Sequence, residues 1–101
     1  MFNFFKTKNR HSLAKPKNQS AEILFELINN TNASRSELTE MTGVLNVTAI
    51  ISKLRLDYDI SIKCDLKETK NKHGRNVRFG IYSLTSISKM VAILKYNQIN
   101  K

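Results

Sequence analysis

Residues 67–78 carry Lys67, Lys70, Lys72, Arg75 and Arg78, with His73 among them, against one carboxylate, Glu68. Ammonium and guanidinium groups on long stems suit phosphate oxygens, and an arginine can also enter a narrow minor groove. Charged loops are commonly just solvated, so the cluster gains meaning only beside a second feature. That feature lies upstream. In a helical projection Ala49, Ser52, Lys53 and Leu56 fall on the side away from Val47, with Thr48 and Arg55 at the flank and Asn46 at the helix start. Such a face is small, polar and lightly basic, and it lets base edges approach. Asn can bond an adenine edge twice, a Thr or Ala methyl can meet a thymine methyl, and Lys can donate to guanine. Arg35, at the start of the preceding helix beside free backbone N–H groups, offers a phosphate site.

These groups need elements to hold them. Ala21, Ile23, Leu24, Leu27 and Ile28 make a broad apolar stripe on a helix starting near Ser20, with Glu22 and Glu26 on the opposite face or at its start. The run Asn29, Asn30, Thr31, Asn32 ends it. Ser34 and Glu37 form a capping box for a second helix, with Leu38 and Met41 inward and Gly43 placed to end it. Asn46 caps a third, whose inner side is Val47, Ile50, Ile51, Leu54 and Tyr58. Strict alternation follows, with Ile60, Ile62, Cys64 and Leu66 on one side, as in a half-buried strand. Residues 68–76 are expected to turn and residues 77–84 to return, with Gly80 as a bulge. Thr85 or Ser86 then caps a last helix with Ile87, Met90, Val91 and Leu94 as its stripe.

The 101 residues suffice for one small domain with a modest core. The net charge of +9 favours a polyanionic partner, nucleic acid before an acidic membrane surface. Its placement says more than its total. Residues 1–19 hold five basic residues and no acid, residues 20–59 three basic and six acidic, and residues 60–101 nine basic and two acidic. The helical half is therefore slightly acidic, and the ends supply the positive field. Residues 1–19 have no sustained period and are expected to be a flexible basic arm, in which Phe2, Phe4 and Phe5 are unusual. The single cysteine, Cys64, cannot close an internal disulfide and is expected to be a small buried apolar residue. His11 and His73 complete no metal cluster with it, so no metal and no cofactor are expected. The start has no signal-peptide pattern and no stretch reaches membrane-spanning length, so a cytoplasmic protein with no membrane partner is expected. No nucleophile, base and orienter fall into a plausible context, so neither an enzyme nor a small-molecule substrate is expected.

The order α-α-α-β-β-α implies an α+β winged helix: a three-helix helix-turn-helix core over residues 20–84 with a two-stranded hairpin wing, then a C-terminal helix over residues 85–101. The chain resembles the short winged helix-turn-helix DNA-binding proteins common in phages and prophages. The residues that carry the resemblance are Gly43-Val44, Asn46, Ala49, Ile51-Ser52 and Leu54-Arg55. Asp57-Tyr58-Asp59-Ile60 and Ile62 follow, then Gly74-Arg75 leading to Tyr82 and Leu84. Two positions depart from the family pattern: Ile50 stands where Arg is common, and Asp59 where Gly would end the helix. The resemblance implies a cytoplasmic, often regulatory DNA-binding protein without a cofactor. Helix three, residues 46–58, would read the major groove of double-stranded DNA. Residues 67–78 would hold phosphates, and the C-terminal helix is a candidate homodimer element. An architectural or excision factor and a protein-interaction adaptor remain open as alternatives.

Overall fold

The first helix, α1 (Gln19–Asn29), starts where Asn18 accepts a hydrogen bond from the Ala21 N–H at 2.8 Å. The computed structural model describes residues 9–30 and 32–101; Phe2, Phe4 and Phe5 lie outside the described residues. The expected apolar stripe of α1 is fully buried. Glu26, expected on the polar face, is buried too, and the Asn30 amide donates to its carboxylate at 3.2 Å. The reason is that α1 is the central helix, packed against α2, α3 and α4, so more than one of its sides is covered.

Ser34 and Glu37 make the capping box in both directions, Glu37 N–H to Ser34 Oγ at 3.2 Å and Ser34 N–H to Glu37 Oε1 at 2.9 Å. They open α2 (Arg35–Thr42), which ends at Gly43 with φ of 79°. Asn46 caps α3 (Val47–Asp57) through Oδ1, which accepts from the Ala49 N–H at 3.3 Å. Val47, Ile51 and Leu54 of α3 are buried. After it, Asp59 takes φ of 55° and lets the Ile60 N–H reach the Leu54 carbonyl at 3.2 Å. A left-handed backbone strains a residue with a Cβ. Asp59→Gly is therefore expected to raise stability, by up to about 1 kcal/mol after glycine's entropy cost in the unfolded chain. A thermal melt checks this, and a lowered midpoint would contradict it.

The sheet is three-stranded and antiparallel in the order β1-β3-β2, from β1 (Ala33–Ser34), β2 (Lys63–Lys70) and β3 (Asn76–Ser83). The hairpin differs from the sequence expectation in four ways. Its first strand starts at Lys63, because Ile60 and Ile62 are spent earlier as buried anchors of the approach. Its turn occupies only residues 71–75, because the charged run pairs with β3 as far as Lys70 opposite Asn76. Gly80 makes no bulge, since the register is unbroken from Lys63–Ser83 to Lys70–Asn76. Cys64 is exposed, as is all of β2, because the hairpin extends beyond the core.

Thr85 caps α4 (Ser86–Ile99). Ser88, Ala92, Tyr96 and Ile99 form its buried side, whereas Ile87, Met90 and Leu94 of the expected stripe are exposed by 76%, 65% and 78%. Small side chains at 88 and 92 permit close approach to the core, and Tyr96 supplies the volume. Its hydroxyl donates to the Ala14 carbonyl at 2.7 Å, and burial pushes the phenol pKa up. Residues 9–18, the end of the expected arm, are tied to the domain. Arg10 N–H donates to the Asn29 side chain, Lys17 N–H donates to that of Asn100, and the Asn100 amide donates to the Lys15 carbonyl.

Candidate nucleic-acid interface

The side of α3 turned from the core carries Thr48, Ala49, Ser52 and Lys53, all exposed. Two clefts border it. The first, about 380 Å³, lies between Thr48, the start of α2 at Arg35 and Ser36, and the hairpin residues Cys64, Leu66, Arg78 and Gly80. Cys64 and Leu66 stand opposite Tyr82 and Gly80 in the ladder, on the face that looks toward the helices. A Cβ on Gly80 would come within 2.8 Å of the Cys64 sulfur, so glycine there leaves the room that the thiol fills. The second cleft, about 470 Å³, lies between Ile50, Lys53 and Tyr58 of α3, the start of α1, and Ile99 and Lys101. Arg35 and Arg78 thus stand at one flank of the exposed α3 face, and Lys53 and Lys101 at the other. Lys101 escaped the sequence reading because only the folded chain brings the C-terminus to α3.

The hairpin end is built by one side chain. Asn71 Oδ1 accepts from the N–H groups of His73 and Arg75 at 2.9 and 3.0 Å. The Gly74 N–H donates to the Asn71 carbonyl at 3.0 Å, with Gly74 at φ of 82°. This short turn holds Lys70, Lys72 and Arg75 at the exposed tip. Arg78 lies farther down and pairs with Glu68 at 3.3 Å, with both side chains well exposed. An exposed pair of this kind is worth little and exchanges readily for another anion.

Two candidate residues have structural work. Arg55 donates from Nε and Nη2 to the Ile62 carbonyl at 3.2 and 2.6 Å, which fixes the descent from α3 into β2. Two of the five guanidinium donors are used there. The carbonyl oxygen of the Asn46 side chain is engaged by the cap, so only its amide N–H groups remain for a partner.

The chain matches no protein-family model and no curated protein sequence. What the site can do therefore rests on its own chemistry. Among the described residues no three His, Cys, Asp or Glu side chains come together to hold a metal. No described helix is long and apolar enough to cross a membrane. What the described residues do assemble is a helix face of small and alkyl groups with cations along both sides and more cations on a projecting hairpin.

Proposed function

We propose that this is a winged-helix DNA-binding protein of the phage and prophage type, a cytoplasmic transcriptional regulator of a mobile element rather than an enzyme. Residues 46–58 lie in the major groove of double-stranded DNA and read it. The hairpin is the wing, and residues 67–78 hold phosphates. The observation that carries this reading is the bracketing of the exposed α3 face by Arg35 and Arg78 on one side and Lys53 and Lys101 on the other. An α-helix is about 10–12 Å across and the major groove about 12 Å wide, so a helix seated there has a phosphate strand at each flank. Arg35 and Arg78 then meet one strand and Lys101 the other, with Lys53 left to face the bases. Arg35 also brings the start of α2 to a phosphate.

The exposed line of Ile87, Met90 and Leu94 on α4 supports a homodimer through that helix, because single exposed apolar side chains are common but three in register are a patch. A two-fold dimer presents two copies of α3 and calls for a site of matching symmetry. Selection of bound sequences from a random duplex pool tests both parts. A regulator that dimerises enriches an inverted repeat. Binding without enrichment would contradict the regulator and leave an architectural or excision factor, which a bending assay identifies.

A further inference from the structure

Leu45 is 86% exposed just before the Asn46 cap of α3, and Leu56 is 82% exposed near the helix end. Between them, Ala49, Ser52 and Leu56 step by three and four residues and so share one line along the helix. Lys53 is the one charged side chain on that side of the helix; Arg35 and Arg78 stand to one side of it and Lys101 to the other. A face meant to meet guanine edges needs long donors aimed at O6 and N7, and Lys53 alone is placed for that. The one major-groove group that alkyl side chains match is the C5-methyl of thymine.

Resting on the DNA-binding reading above, we infer that α3 selects thymine-rich steps by their methyl groups. Leu45, Ala49 and the Thr48 methyl make the contacts at the N-terminal end, where base contacts concentrate. Among the described residues Lys53 is the purine-directed cation of α3, and Leu56 continues the apolar line toward the next bases. Arg35, Arg78 and Lys101 fit this occupant: they meet phosphates while the alkyl groups between them meet methyls. An apolar protein surface would leave them unmatched.

The test uses the full chain and duplexes enriched from a random pool, with each thymine in turn replaced by deoxyuridine, which removes only the C5-methyl. The expected result is a loss of about fourfold in affinity for each contacted methyl, the worth of one buried methyl group. In Leu45→Ala the loss at the position beneath residue 45 is expected to shrink toward none. Residue 45 is exposed, so its variant should melt like the wild type. Unchanged affinity on every deoxyuridine duplex overturns the inference and leaves the DNA-binding reading intact. A penalty that is the same in wild type and Leu45→Ala also overturns it, since the methyl then acts through DNA stiffness. Absence of any duplex binding at low salt overturns the DNA-binding reading and this inference together, and assigns the leucines to a protein partner.

Discussion

Leu54→Ala is expected to cost about 2–5 kcal/mol, the range for removing a buried leucine side chain that leaves a cavity. Leu54 has no exposed surface and lies on the inner side of α3, within the core cluster that also holds Leu24, Leu27 and Ile28 of α1. A chain of this length has roughly 5–15 kcal/mol of total stability, so the loss is a large share of it. At about 4–8 °C per kcal/mol for a domain of this size, the melting midpoint should fall by roughly 8–40 °C. Leu56→Ala supplies the contrast. It lies two residues on in the same helix but is 82% exposed, so it should shift stability by less than about 0.5 kcal/mol. Circular-dichroism melts of the two variants check the pair. Equal losses would contradict the burial of one helix side and the exposure of the other.

Replacing Lys72 and Arg75 together by alanine is expected to leave the fold intact and change how DNA affinity depends on salt. The turn should survive because Asn71 holds it through the backbone N–H groups of residues 73 and 75, which alanine retains. Each cation that neutralises a phosphate contributes about 0.9 to the slope of log affinity against log salt, so the double variant should lose roughly 1.8. Between 50 and 200 mM salt, the wild type should then lose about tenfold more affinity than the variant. An unchanged slope with unchanged affinity would remove the hairpin from the proposed interface.

Features that are local in sequence were legible before the structure. The capping box needs only Ser34 and Glu37, and the left-handed stop needs only Gly43, so short spacing suffices for both. The inner side of α3 follows from period alone and is buried at Val47, Ile51 and Leu54. Features that depend on a distant partner were not legible. The hairpin is longer than its composition suggests because β3 pairs with Glu68, Thr69 and Lys70, which in isolation look like loop residues. The two-residue strand β1 has no period to detect and exists because Tyr82 and Ile81 lie beside it. On α4 the largest apolar residues suggested the inner side, yet close approach to the core selects Ser88 and Ala92 and leaves Ile87, Met90 and Leu94 outside. Of the candidate interface, the cations on the hairpin could be named from sequence. Their relation to α3 could not, because the clefts that bracket its exposed face join residues far apart in the chain.

The most direct test of the proposed function is the affinity of the full chain for a duplex of arbitrary sequence, measured by anisotropy across a salt series. Arg35, Lys70, Lys72, Arg75, Arg78 and Lys101 acting on phosphates should give a slope near −5 in log affinity against log salt. No binding at 50 mM salt, or binding whose strength is indifferent to salt, would contradict it.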